Sequence, residues 1–241
     1  MNKFIKIKNK HQIYNNFNNF NNYIISDINS LNINCIDLNK IKYSFNWLKI
    51  DEYHNNSPPT RLRKYFNIDV DMSNVEKYHI KYNHNNNIFE QQVEDNRNMP
   101  RKFALIDDKI LYSHFFTSFI CQTSSLVKNI ENINKLNISI HQIRQICYPN
   151  TISENSPEGI HQDGADYIVS ALVINHNNLK GGISKIYDSN KNIIDAVILK
   201  EKELIFQNDK TLYHYITPVE CYNDNYLGFR DIIGLDINII E

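Results

Sequence analysis

The sequence predicts a mainly β fold with flanking helices (α+β), built as an antiparallel sandwich or barrel. Three observations predict it. From about residue 137 onward, apolar and polar residues alternate with a period of two, the pattern of strands with one buried face. About seven such stretches recur at roughly ten-residue spacing, divided by loops of Gly, Asn, Asp and Pro, which suits short antiparallel strands rather than a parallel sheet. Upstream of them the apolar spacing is three and four, the helical period.

In chain order, Tyr14, Phe17, Phe20, Ile24 and Ile28 fall three or four apart, with Tyr23 flanking the stripe. They predict an amphipathic helix packed on the main body, although Asn, abundant here, is a poor helix former. Residues 31–60 hold short apolar pieces and then a loop by composition, from Asp51 to Pro59. Thr60 to Phe66 is a local basic cluster and reads as a solvated face or an edge strand. Asp107 and Asp108 stand where they would cap a helix through Leu111, Tyr112, Phe115, Phe116, Phe119 and Ile120. That stripe is broad, so the helix should be well buried. The predicted strands are Ile138 to Arg144, Tyr167 to Ile174, Ile183 to Tyr187, Ile193 to Leu199, Glu203 to Phe206, Tyr213 to Val219 and Phe229 to Ile237. There is no internal repeat and no clear linker. Residues 1–241 therefore read as a single domain, with 1–135 mostly helical or irregular and packed on a β core supplied mostly by 136–241.

Composition excludes several classes of function. The chain has 241 residues, 41% of them hydrophobic, enough for a sizeable core. Lys plus Arg is 26 and Asp plus Glu is 27, a balance with no nucleic-acid footprint, polybasic membrane patch or acidic tail. Apolar runs are too short to span a bilayer. The start, Met1 to Lys6, has no apolar signal region, and Cys35, Cys121, Cys147 and Cys221 form no CxxC pair. A reducing cytoplasm is the expected setting. Asn occurs 38 times; AT-rich codons suffice to explain it, so the Asn-rich run at 83–87 reads as a solvated turn. There is no G-x-S-x-G elbow, and Gly181-Gly182 lacks the following helix of a nucleotide site and reads as a turn or bulge.

The chemistry concentrates in Glu158-Gly159-Ile160-His161-Gln162-Asp163-Gly164, an H-x-D pair just before a strand. About fifty residues later His214 sits in a strand-like context, and Arg230 stands sixteen positions beyond it. Two imidazoles and one carboxylate on one face of a metal leave three positions open, the arrangement of non-haem Fe(II) oxygenases. The open positions suit the two donor oxygens of a 2-oxo acid and then dioxygen. An arginine on the next strand can grip the far carboxylate of 2-oxoglutarate through two hydrogen bonds. Spacing alone leaves open a set of unrelated polar residues at loop edges with a surface arginine.

Resemblance adds to this reading. Pro157 to Gly164, Asp166-Tyr167, Val173-Ile174-Asn175 and Gly181-Gly182-x-Ser184-x-Ile186-Tyr187-Asp188 are similar to the bacterial 2-oxoglutarate/Fe(II) dioxygenase family that includes the L-isoleucine 4-hydroxylases. So are His214-x-x-Thr217-Pro218 and Arg230-Asp231. Upstream, Asp51-Glu52-Tyr53, Arg61-x-Arg63, Phe89-x-Gln91 with Asn96, Arg101-x-Phe103 and His141-Gln142-x-Arg144 resemble that family's N-terminal half in the same order. The likeness spans roughly residues 50 to 237. It implies a double-stranded β-helix (jelly-roll) core with helices outside, Fe(II) on His161, Asp163 and His214, and 2-oxoglutarate on Arg230. It also implies O2 as co-reactant and hydroxylation of a free aliphatic L-amino acid, isoleucine-like.

Substrate anchors are read more loosely. Asp166 is placed either to meet the substrate ammonium or to cap a strand. Arg144, with Gln142 on the same strand face, points either into the barrel toward a carboxylate or into a surface ion pair. Arg61 and Arg63 are further choices for the carboxylate. Other functional readings are a peptide, protein or other small-metabolite hydroxylase on the same scaffold, and a non-catalytic metal- or ligand-binding jelly roll. The second would have no need of an open-sided iron site.

Overall fold

The computed structural model describes residues 2–6, 22–54, 56–74, 76–93 and 96–240. Its strands are β1 (Asn2–Lys6), β2 (Tyr23–Asp27), β3 (Lys49–Ile50), β4 (Arg61–Asp71), β5 (Lys77–Tyr82), β6 (Ile88–Phe89), β7 (Arg101–Lys102), β8 (Lys135–Cys147) and β9 (Ile152–Ser153). They continue with β10 (Tyr167–Asn177), β11 (Leu179–Gly181), β12 (Ser184–Tyr187), β13 (Ile193–Val197), β14 (Glu203–Asn208), β15 (Tyr213–Ile216), β16 (Val219–Cys221) and β17 (Gly228–Ile239). The α-helices are α1 (Leu38–Ser44), α2 (Asp108–Leu111) and α3 (His114–Glu131). The expected class holds: a mainly β, jelly-roll core with helices on its outer face.

One nine-stranded sheet runs β1-β5-β4-β8-β17-β10-β14-β2, with β3 added to β4, and two three-stranded sheets run β11-β16-β9 and β13-β12-β15. Every strand pairing within them is antiparallel. The large sheet has two buried faces. On the outer one, Phe66, Ile68, Val70, Leu136, Ile138, Ile140, Ile233 and Leu235 pack with Phe115, Phe116 and Phe119 of α3. On the inner one, Ala171, Val173 and Ile205 meet Ile186 of β12, with Leu199 and Leu212. Because side chains alternate along a strand, every second residue of β4, β8 and β17 faces the space between the layers. These are Arg61 and Arg63; His141, Ile143 and Gln145; and Ile232, Gly234 and Asp236.

Several sequence expectations change. The basic cluster is no solvated face or edge: β4 lies between β8 on one side and β5 and β3 on the other, and Arg63 and Lys64 are buried. Its lysine and arginines escape the usual penalty because each meets a polar partner, Lys64 with Asp107 and Arg61 with Asp51. Residues 1–135 also supply β4 and β5 to the main sheet, beside the helices and irregular stretches expected there. The N-terminal helix reading falls partly on residues outside those described. Within them, Ile24 lies on β2, whose five residues pair with β14. Residues 31–60 contain α1, a 3-10 turn at Phe45–Trp47 and β3. The buried helix after Asp107 is present but starts twice: α2 ends at Leu111, and Ser113 caps α3 by accepting the Phe116 N–H. All seven predicted strands occur, with Val219 of the sixth separated onto β16. Among the described residues, no helix is long and apolar enough to cross a membrane.

Candidate metal centre and active-site cavity

His161 and His214 come from segments more than fifty residues apart, and an isolated antiparallel bridge joins them. The His161 N–H donates to the His214 carbonyl (3.0 Å) and the His214 N–H to the His161 carbonyl (2.9 Å). The rings then lie side by side, centroids 4.2 Å apart. Two residues on, Asp163 completes the group: Oδ1 is 3.6 Å from His161 Nε2 and Oδ2 is 3.4 Å from His214 Nε2. Gly164 turns the chain directly afterwards with φ +84°, and a Cβ there would lie 2.5 Å from the Gln92 carbonyl oxygen. Glycine alone fits both demands.

These three residues are a group of possible metal-ligating atoms, all within 4.8 Å of one another. Facial ligands about 2.1 Å from a shared ion stand roughly 3 Å apart, so a small contraction would seat one. Their protonation reflects the same geometry. Burial opposes a charge on His161, but Asp163 and Glu158 outweigh it and push its pKa up to about 10. Its Nδ1 lies 2.8 Å from the Gly159 carbonyl and its Nε2 2.9 Å from Glu158 Oε1. Burial lowers His214 to about 4, against the pull of Asp163. Burial would raise Asp163, but His214, His161 and Arg97 hold it well below the usual carboxylate range. The carboxylates of Asp163 and Glu158 thus favour positive charge on His161, while burial disfavours it on His214.

The group opens into a cavity of about 250 Å³. Part of the wall is apolar, with Ile143, Val169, Ile216 and Ile232. The rest is strongly polar, with Arg61, Arg63, Arg97, Arg101, His141 and Asp236. Arg63 donates to His141 Nδ1 (2.7 Å), and His141 Nε2 faces Asp236 Oδ2 at 3.1 Å. Burial and Arg63 keep the His141 pKa well below its ordinary value, so the neutral ring accepts at one nitrogen and donates at the other. Arg61 and Arg63 share one carboxylate, Asp51, at 2.7 and 4.0 Å. Arg101 stacks over Phe89 and donates to Gln91, which in turn donates to Asp163 Oδ1 (3.0 Å).

Arg230 is on the inner face of β17 with Ile232 and Gly234, but it lines a separate, smaller cavity of about 60 Å³ with Gly181, Gly182 and Val219. It is buried, its Nη2 has no hydrogen-bond partner, and burial alone lowers its pKa to about 10. Gly182 leaves room beside it: a Cβ there would lie 3.5 Å from Nη1. An unpartnered buried guanidinium is the feature an incoming carboxylate would satisfy.

The other three predicted residues are elsewhere. Arg144 makes a two-pronged pair with buried Asp231 (2.6 and 2.8 Å). Gln142 donates to Ser44 of α1 (2.6 Å). Both occupy the outer, helix-facing side of β8, because residues facing the cavity there are odd-numbered. Asp166 accepts the Ile239 N–H (2.6 Å) and pairs with Lys210, tying the start of β10 to the end of β17. The residues missed at the cavity are His141, Arg101, Glu158 and Asp236, and behind the ligands Asp209. Strand alternation puts His141 on one face with Ile143 and Gln145, and the fold turns that face to the cavity.

Comparisons with known proteins agree with this geometry. A family model described as 2OG-Fe dioxygenase matches residues 42–236. An L-isoleucine-4-hydroxylase from Bacillus thuringiensis is 28% identical over 163 residues. The match is 62% of this chain and 64% of that protein, so the chain spans just under two thirds of that relative's length. The fold is similar to the crystal structure of IDO from Bacillus thuringiensis, with TM-score 0.73 and 20% identity over 91% of this chain and 95% of that one. It is also similar to a bsmA homolog from Methylobium petroleophilum PM1, with TM-score 0.76 and 14% identity over 90% and 89%. An Fe(II)/(alpha)ketoglutarate-dependent dioxygenase, TqaL, gives 0.67 and 14% over 91% and 83%. With the family model running from before β4 almost to the end of β17, the chain belongs to the 2OG-Fe dioxygenase family, non-haem iron enzymes that use Fe(II), 2-oxoglutarate and O2.

Proposed function

We propose that the protein hydroxylates an unactivated C–H of a free aliphatic L-amino acid, isoleucine-like, with release of succinate and CO2. The observation that carries this is the cavity itself, which joins a His-Asp-His group to an arginine-rich wall. His161, Asp163 and His214 hold Fe(II) in this reading. Arg230 takes the far carboxylate of 2-oxoglutarate. Bound Fe(II) and 2-oxoglutarate would supply the electrons that reduce and so activate O2, the oxidant, with 2-oxoglutarate itself oxidised to succinate and CO2. The chain's own part is to place one C–H and keep unproductive water away.

Substrate recognition falls to residues other than Arg144, Gln142 and Asp166. Arg63 and Arg101 are the carboxylate anchors, since among the described residues the three nearby cations, Arg61, Arg63 and Arg101, have only Asp51 as a close carboxylate partner. Asp236 is the ammonium anchor, and Ile143, Ile216 and Ile232 direct an apolar side chain toward the iron. Four free cysteines fit a cytoplasmic setting. The 28% identity to an isoleucine hydroxylase supports the amino-acid class. The arginine-rich wall also favours a second reading, a metabolite with an additional carboxylate.

The test is anaerobic reconstitution with Fe(II) and 2-oxoglutarate, then air, with succinate release and product mass read across the twenty amino acids. The expected result is one added oxygen and one succinate per turnover on several of isoleucine, leucine, valine and methionine. One methylene in such a pocket is worth only about 1–3 kcal/mol, so discrimination among them should be modest. If dicarboxylates, peptides or other metabolites stimulate turnover and no aliphatic amino acid does, the amino-acid reading fails and the iron and 2-oxoglutarate assignments stand.

A further inference from the structure

Asp209 follows β14, is 1% exposed, and reaches two of the three possible metal ligands from behind. Its Oδ2 accepts three successive main-chain amides, from Asp163 (2.8 Å), Gly164 (2.7 Å) and Ala165 (3.2 Å). One carboxylate oxygen therefore holds the turn from which the Asp163 side chain projects. Its other oxygen, Oδ1, lies 3.8 Å from Nδ1 of His214. Neither of those two buried atoms has a hydrogen-bond partner. At His161 the corresponding nitrogen already faces the Gly159 carbonyl at 2.8 Å.

The requirement comes from imidazole chemistry. A neutral ring carries one N–H, and a metal needs the bare nitrogen. If Nε2 of His214 faces the metal, the proton must sit on Nδ1, inside the protein, where it needs an acceptor. Metal-ligating histidines commonly donate that proton to a carboxylate or carbonyl, which fixes both tautomer and ring orientation. Closing 3.8 Å to a hydrogen bond of about 2.9 Å is a movement of roughly 1 Å.

We propose that Asp209 is a positioning residue of the metal centre: Oδ1 accepts the Nδ1–H of His214 while Oδ2 fixes the backbone that carries Asp163. This rests on the reading of His161, Asp163 and His214 as metal ligands. Asp209→Asn tests it with little change in volume. If the amide oxygen stays on the three N–H groups, the amide NH2 faces His214 Nδ1 and requires it to accept. The ring proton is then driven to Nε2, on the metal side. If the amide turns over, the three main-chain donors face an NH2 group. Either way the ligand set is disturbed.

The experiment is titration of the metal-free full chain with Co(II), an air-stable stand-in for Fe(II), in the wild type and in Asp209→Asn. The expected result is a 10- to 100-fold weaker Co(II) affinity in the variant, the range for loss of such an outer partner. Equal affinities in two folded proteins overturn the proposal. Should the variant not fold, the wild type loaded with diamagnetic Zn(II) decides by nuclear magnetic resonance. The His214 Nδ1–H is expected at the downfield position of an imidazole proton bonded to a carboxylate, and the position of an unbonded imidazole N–H overturns the proposal. If wild-type His161 and His214 ring nitrogens do not respond to Zn(II) at all, the ligand reading fails instead, a result separate from either of these.

Discussion

Two arginines within one strand ladder show what a single residue's partner decides. Arg144 and Arg230 both carry a full charge into the protein, but Arg144 has spent it on Asp231, which is fully buried. Arg230 has no carboxylate partner among the described residues and an unbonded Nη2. Arg230→Ala should therefore raise the 2-oxoglutarate requirement by the equivalent of about 2–5 kcal/mol, the cost of truncating one side of a sheltered charge pair. Iron affinity should change little. Arg144→Ala should do the reverse: it leaves Asp231 uncompensated, costing about 3–5 kcal/mol of stability, with no direct effect on 2-oxoglutarate binding. Steady-state titration of 2-oxoglutarate and urea unfolding of both variants separate the two roles. If Arg144→Ala alone raised the 2-oxoglutarate requirement, the assignment of Arg230 would be wrong.

At the scale of elements, α3 is the best-defined helix, and its beginning illustrates how a boundary is set. Asp107 and Asp108 are acidic and lie at the right distance, but neither caps α3. Asp107 precedes α2 without a side-chain cap hydrogen bond and turns instead to Lys64 at 2.8 Å. Ser113 has the extended backbone of an N-cap and accepts the Phe116 N–H at 3.2 Å. Ser113→Ala should cost about 1 kcal/mol, the usual loss for a cap, read by urea unfolding. Phe115, Phe116 and Phe119 still cover the large sheet in that variant, so metal affinity should stay unchanged. Strand β4 makes the complementary point. Its charges resemble a surface by composition, but the sheet needs an inner strand there, and Asp51 and Asp107 supply the opposite charges.

For the whole molecule, the ion pairs that let β4 sit inside also set a pH dependence. Burial alone would raise the Asp51 carboxyl, but Arg61 and Arg63 outweigh it and hold it below the ordinary aspartate value. A pKa depressed by folding contributes stability that is present above the unfolded value, about 4. That contribution is lost as pH falls through the folded value. Asp51→Asn should therefore lower stability at neutral pH and flatten the acid limb of the stability profile below about pH 4. Urea unfolding between about pH 3 and 7 reads both. An acid limb as steep in the variant as in the wild type would show that other carboxylates govern it.

The sequence by itself determined the periodic elements and the local part of the site. Alternation from Ile138 to Ile237 is a property of neighbouring residues, and it marks each strand because one face of every strand is apolar. The H-x-D pair is equally local, since His161 and Asp163 need only a turn between them. The distances that join His214 to them, and Asp209 to His214, depend on which strands meet. Period-two alternation says that Gln142 and Arg144 share a face with each other and oppose His141 and Ile143. It does not say which face the helices cover, and a change of one residue exchanges all of them. Only tertiary structure decided that α1 and α3 take the even-numbered face of β8, leaving His141 and Gln145 to the cavity and Arg144 to Asp231. The basic strand was decided the same way, because the charges of Arg61 and Arg63 are offset only where the folded chain brings a carboxylate beside them, and here Asp51 does.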